Sequence, residues 1–326
     1  MVELQNTDEV ARNSRTAVAL KTFMSGGIAG CCAKTALAPL DRVKILLQAH
    51  NQHYKHLGVF SAVRHVVHKE GFLGLYQGNG VQMIRIFPYA AIQFLSYEQF
   101  KQIAKEHIPW LNHSPNISKL LCGSLAGLTA VMVTYPLDMI RARLAFQVRG
   151  EAVYDGIMHT VKSIRLLEGG TRGLYQGIVP TILGMAPYAG LSFSSFEMLK
   201  NFALDTFPEF LGKPQHAGGL ALILPAKLVC GGLAGAVAQT ISYPLDVVRR
   251  RMQLSGMVVK SPESVISYPR GWLQVMVDVY HENGVVKGLF RGMSINYIRI
   301  MPTVAISFAT YESTKQALGL DTGVDR

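Results

Sequence analysis

The chain has 326 residues, 32 Lys+Arg against 21 Asp+Glu, and a formal charge of +11. Only 16% of its residues are charged and 49% are apolar, where an ordinary soluble domain has about 25% charged. That balance excludes a disordered chain and argues against a nucleic-acid binder, and four Cys in such a length exclude a disulfide scaffold. A large apolar soluble enzyme or a protein that crosses a membrane several times remains.

Residues 1–20 contain no apolar core of the kind a secretory signal needs, and Glu3, Asp8 and Glu9 are unlike a transit peptide. This segment is expected to be a disordered tail, with any targeting information elsewhere. The first long helix is predicted over the apolar stretch 22–48 and the second over 79–101. Between them Val59, Val63, Val66 and Val67 recur at helical spacing, which predicts a short amphipathic helix lying at a surface. The same succession returns over 117–147 and 178–200, and again over 225–253 and 291–316. Three units follow, at 21–112, 113–212 and 225–318. Each apolar stretch can cross about 30 Å of hydrocarbon as a helix, although none is free of charge. The predicted fold is an all-α membrane protein with six spanning helices in three pseudo-threefold repeats and three short amphipathic helices.

The units share motifs in one order. GGIAGCCAKTALAPLDRVK (26–44), GSLAGLTAVMVTYPLDMIR (123–141) and GGLAGAVAQTISYPLDVVR (231–249) align without gaps. Their Gly-x-x-x-Gly pairs suggest closely packed helices. EGFLGLYQG (70–78), EGGTRGLYQG (168–177) and NGVVKGLFRG (283–292) follow, and each unit ends in Pro, then nine residues on an aromatic, then Glu and Lys. Six spans put both termini on one side. The three long loops hold ten Lys/Arg and the two short loops two, which puts the long loops on the positive-inside face.

A carboxylate inside a membrane needs a partner or a watery cavity. Asp41, Asp138 and Asp246 each have a cation three residues on, at Lys44, Arg141 and Arg249. These pair either locally or as a ring between helices, and threefold repetition favours the ring. Pro before each Asp is expected to kink the helix inward. At the opposite end Glu98 with Lys101, Glu197 with Lys200 and Glu312 with Lys315 form a second set. Two such sets at opposite ends of one bundle read as two gates that open alternately, offset by a substrate bound between them.

PLDRVK, PLDMIR and PLDVVR, with YEQFK, FEMLK and YESTK, resemble the mitochondrial carrier family over about residues 21–316. The resemblance implies a six-helix carrier of the mitochondrial inner membrane with one central substrate site. Both termini then lie on the intermembrane-space side, and the Asp/Lys/Arg set is the matrix gate. Gln48 and Gln253 match the family's glutamine brace of that gate, where the second repeat has Ala145. Tyr97 and Tyr311 match the tyrosine brace of the cytoplasmic gate, and Phe196 lacks the hydroxyl. Phe290-Arg291-Gly292 keeps the family's aromatic-basic-glycine motif, which departs to Tyr76-Gln77-Gly78 and Tyr175-Gln176-Gly177. Backbone amides there suit the phosphates of cardiolipin as a structural lipid. No other cofactor, no nucleic acid and a monomer are expected.

Three cations break the threefold symmetry: Lys34, Arg85 and Arg299, against Val131 and Gln239, and against Gly184. Read as unpaired, they suggest a phosphorylated anion. The family's contact points fall on Arg85 and Gln93, on Gly184 and Met185, and on Arg299 or Ile300. The Gly184–Met185 pair is similar to that of nucleotide-type carriers, where adenine enters a flat slot. GGIAGCCAKT, HYKHLGVFSA, PTILGMAPYAG and RRRMQL are similar to members associated with coenzyme A transport. The resemblance therefore implies import of coenzyme A, or a related adenine-containing anion, in exchange for an adenine nucleotide. Two alternatives stand beside it. One is an adenine nucleotide carrier of ATP-Mg, AMP or 3′-phosphoadenosine compounds, and the other a non-transporting receptor or contact protein on the same fold. An enzyme is disfavoured: Cys31, Cys32, Cys122 and Cys230 sit in apolar helix starts, and His50, His53, His56, His65 and His68 read as solvated surface. No catalytic or metal-ligating set emerges.

Overall fold

The computed structural model describes residues 2–49, 54, 56–108, 115–148, 150, 153–214, 220–257 and 271–319. Six long helices dominate: α1 (Val2–Gln48), α3 (Asn79–His107), α4 (Pro115–Phe146), α6 (Ile178–Thr206), α8 (Leu224–Leu254) and α10 (Met293–Ala317). Shorter helices α2 (Val59–Glu70), α5 (Ile157–Leu167) and α9 (Trp272–Gly284) follow α1, α4 and α8. A four-residue helix α7 (Pro208–Leu211) leads into a two-stranded antiparallel ribbon, β1 (Gly212–Pro214) with β2 (Leu220–Leu222). This ribbon is the one departure from the all-α expectation among the described residues. α1 begins at Val2, so helical backbone runs through the segment expected to be a disordered tail; residues 2–21 contain no Gly or Pro to stop it.

Each long helix packs against the next in sequence, and α10 returns to α1, so the six close into a ring. Every one of them contains a single internal Pro. The hydrophobic core is concentrated at one end, where the C-terminal turns of α1 and α4 meet α2 and the start of α10. Val43, Leu46, Ile140, Ala145, Leu254 and Ile295 lie there with Ala62 and Val66 of α2. The face that α2 buries is Ala62, Val66 and Glu70. Val67, expected on that face, is exposed, because eight residues after Val59 the helix has turned roughly 80° past it. His56, His65 and His68 are exposed, and His50 and His53 lie outside the described residues.

By length and composition two helices among the described residues qualify as membrane spans, Ile117–Phe146 and Pro225–Leu254. The other four long helices do not qualify by that measure. The repeat glycines play another part than the expected one. A Cβ added at Gly26, Gly123 or Gly231 would meet nothing within 4 Å. One added at Gly127 meets the Met185 methyl at 3.7 Å, and one at Gly235 meets the Tyr188 hydroxyl at 4.0 Å. The close approach is made instead by Gly27, where a Cβ would collide with the Phe87 ring of α3. A Cβ at the second glycines Gly30, Gly127 and Gly235 would thus stand in ordinary contact with Ile86, Met185 and Tyr188 of neighbouring helices, without the collision found at Gly27.

Candidate functional site

Three ion pairs join α1, α4 and α8 in a cycle just beyond their prolines. Arg141 donates to Asp41 at 2.8 Å, Arg249 donates to Asp138, and Lys44 stands 3.8 Å from Asp246. The partners lie on different helices in every case, so the ring, not the set of local pairs, is the arrangement present. Each ring carboxylate also has a second donor from the cavity side. Arg299 reaches Asp41 at 2.6 Å, Arg85 reaches Asp138 at 2.8 Å, and Gln239 donates to Asp246 at 2.9 Å.

That corrects the reading of Arg85 and Arg299 as unpaired. Their positions in α3 and α10 aim them at the neighbouring ring Asp, where one guanidinium can neutralise a half-satisfied carboxylate. Lys34 has no ion-pair partner among the described residues. It lines both a cavity of about 200 Å³ directly over the ring and a neighbouring one of about 390 Å³.

The braces are unequal in a way that the seams explain. Gln253 donates to Asp138 at 3.1 Å and to the Tyr135 hydroxyl at 3.2 Å. Gln48 donates to the Tyr243 hydroxyl at 3.1 Å and makes no bond to the ring itself. The Tyr135 and Tyr243 hydroxyls in turn donate to the carbonyls of Gln176 and Arg291. Their rings lie under Arg249 and Lys44. At the third seam, between α1 and α4, Ala38 stands where the other repeats have Tyr, and Ala145 where they have Gln. Both members of the brace are absent from the same interface.

Beyond the ring, buried arginines fasten the short helices. Arg42 donates to Glu70 at 2.7 Å and to the carbonyls of Gly74, Ala145 and Gln147. Arg143 makes a two-pronged contact with Glu168 and reaches the carbonyls of Gln253 and Ser255. Burial pushes the adjacent Tyr154 phenol above its usual range, against the pull of Arg143. The third pair, Arg251 with Glu282 at 3.0 Å, is open to solvent on the acid side. Sequence reading missed these arginines. Glu70 and Glu168 open the second shared motif, and that position was the available signal.

At the opposite end the charges stay on their own helices. Lys101 is 4.0 Å from Glu98 and Lys200 is 3.2 Å from Glu197, both three residues apart and largely solvated. Among the described residues no ion pair joins Glu312 to Lys315, which lies over the Tyr311 ring. Tyr97 packs with Phe100 near Cys122. Among the described residues no ring of ion pairs forms at this end, in contrast to the one beyond the prolines. Of the remaining expected contacts, Gln93 and Met185 come together at Gly127, while Gly184 faces Leu245, 3.5 Å from where its Cβ would sit. Ile300 lines the larger cavity beside Arg299, so both candidate contacts on α10 belong to it.

A ring of six helices in three repeats, closed at one end by inter-repeat ion pairs beneath a cationic cavity, is the architecture of a solute carrier. The family described as mitochondrial carrier protein matches residues 15–107, 112–207 and 222–321, and the chain belongs to it. It is therefore a transporter rather than an enzyme, and membership implies the mitochondrial inner membrane. The chain is 56% identical to human solute carrier family 25 member 16 over 304 residues, covering 93% of this chain and 89% of that one. It is 44% identical to the mitochondrial carrier protein CoAc1 of Arabidopsis thaliana over 313 residues, or 91% and 89% of the two chains. It is 40% identical to CoAc2 of Zea mays over 313 residues, or 92% and 87%.

Proposed function

We propose that this carrier moves coenzyme A, or a closely related adenine-containing phosphorylated anion, into the matrix by alternating access, in exchange for an adenine nucleotide. The observation that carries this reading is the convergence of Lys34, Arg85 and Arg299 over the ring. A phosphate arriving there competes with Asp41 and Asp138 for Arg299 and Arg85, so its binding free energy is available to loosen the ring. The ring end is the matrix side in this reading, and the termini lie in the intermembrane space. Exposed Met24, Phe94, Leu125, Phe202, Ile241 and Met301 support a lipid-facing outer surface for all six long helices.

Two relatives bearing the name CoAc support coenzyme A as the substrate. Import of such an anion works against a matrix-negative potential at about 2.3 kcal/mol per charge per 100 mV. Exchange for another nucleotide reduces the charge moved. Gly78, Gly177 and Gly292 precede α3, α6 and α10 with φ of +83°, +83° and +81° and no side-chain cap. The positive ends of these helices suit cardiolipin phosphates. The carrier works as a monomer, since the cavity lies on the axis of a single bundle.

The test is exchange in proteoliposomes. Vesicles loaded with ADP should take up labelled coenzyme A; free exchange of ATP with no uptake of coenzyme A would replace this reading with that of an adenine nucleotide carrier.

A further inference from the structure

Among the described residues, Asn296 is the only side-chain amide whose nitrogen and oxygen are both buried and unpaired. It sits in the first turn of α10 with 2% of its surface exposed, and it lines the cavity of about 390 Å³ between α8 and α10. Buried amides are almost always satisfied, so an orphan at a cavity wall points to a ligand group. The volume falls within the range of small-molecule sites, about 300–1,000 Å³.

The wall on α8 includes three glycines between Leu228 and Gln239. A Cβ at Gly231 would meet nothing within 4 Å, one at Gly232 only Ile300 at 3.8 Å, and one at Gly235 only the Tyr188 hydroxyl at 4.0 Å. Lys34 and Arg299 line this cavity and the one over the ring alike, so they stand at the junction of the two. Two of the three cations that line this cavity are therefore held at the junction, and the third, Lys227, is exposed in the first turn of α8, whereas Asn296 offers a neutral N–H and C=O side by side. A secondary amide presents the complementary pair.

We propose that this side pocket receives the uncharged, amide-bearing arm of the substrate, while its phosphates rest on Lys34 and Arg299. The inference builds on the coenzyme A reading above, because a nucleotide without an arm leaves the pocket empty and Asn296 unpaired. The amide chain lies along the stretch of α8 opened by Gly231, Gly232 and Gly235, and Asn296 is then a specificity-determining residue for the arm.

The experiment compares uptake of coenzyme A with that of adenosine 3′,5′-bisphosphate, which keeps a nucleotide end and lacks the arm. In reconstituted full-length carrier, Asn296→Leu should lower the ratio of the two efficiencies about tenfold, as loss of a hydrogen bond to a buried amide does. Gly235→Leu, which fills the pocket from α8, should shift the ratio the same way. A ratio unchanged in both variants, or both substrates falling by one factor, overturns the arm pocket. Wild-type carrier that takes up the two equally well also overturns it while leaving the carrier reading intact. Wild-type carrier that takes up neither refutes that reading itself.

Discussion

Asp138→Asn removes the most heavily used carboxylate of the ring. Asp138 is 2% exposed and accepts from Arg249, Arg85 and Gln253. Neutralising it leaves two guanidinium groups facing each other with no anion between them. Breaking a fully buried pair costs about 3–5 kcal/mol. The Arg85 and Arg249 side chains keep 17% and 19% of their exposure to the cavity, so water offsets part, leaving about 2–4 kcal/mol. Asp246 is the contrast: its side chain is 35% exposed and Lys44 lies 3.8 Å away, which makes Asp246→Asn worth at most about 1 kcal/mol. At about 2–4 °C per kcal/mol, thermal unfolding of the purified carrier in detergent should fall by about 4–16 °C for Asp138→Asn and no more than about 4 °C for Asp246→Asn. Equal shifts would mean that the three sites carry equal load, and would refute this account of the ring.

Two further expectations come from the same contacts. Arg42→Ala strips Glu70 and three carbonyls of a buried partner and should destabilise by about 3–5 kcal/mol; Arg251→Ala, whose Glu282 partner is 53% exposed, should cost less than about 1 kcal/mol, as denaturant titrations would show. Lys34→Gln should lower anion uptake about tenfold or more with little change in melting, since Lys34 holds no ring partner. Arg85→Gln and Arg299→Gln should lower both uptake and melting temperature, because each also satisfies a ring Asp.

Much of this was legible from the repeats. Register alone located the long helices, because three copies of one motif at near-equal spacing fix where each unit turns. The pairing was legible only as a choice: spacing does not distinguish Asp41 with Lys44 from Asp41 with Arg141, and only the closing of α1, α4 and α8 around one axis separates them. Arg85 and Arg299 were found by their asymmetry, yet a one-dimensional pattern cannot show that each reaches across to the carboxylate of another repeat. The Ala38–Ala145 seam was half visible. Ala145 was seen as a missing glutamine, and Ala38 gained meaning once the structure set the two on one interface. Asn296 had no signal at all, since an orphaned amide is defined by its surroundings.

The seam between α4 and α8 is tied at every level described. It has the Asp138–Arg249 pair, the Gln253 brace that also reaches Tyr135, and the Arg143 bonds to the carbonyls of Gln253 and Ser255. α1 is held to α4 by the Asp41–Arg141 pair and by the Arg42 bonds to the carbonyls of Ala145 and Gln147. Its ties to α8 are the long Lys44–Asp246 pair and one neutral hydrogen bond. A chain built of three like units therefore closes with two tight seams and one loose one. Its closed end works less as an iris with three equal blades than as a clasp, fastened along α1–α4–α8 and parting first where α8 meets α1. Lys34, the cation left without a ring partner, is mounted on α1, beside that parting.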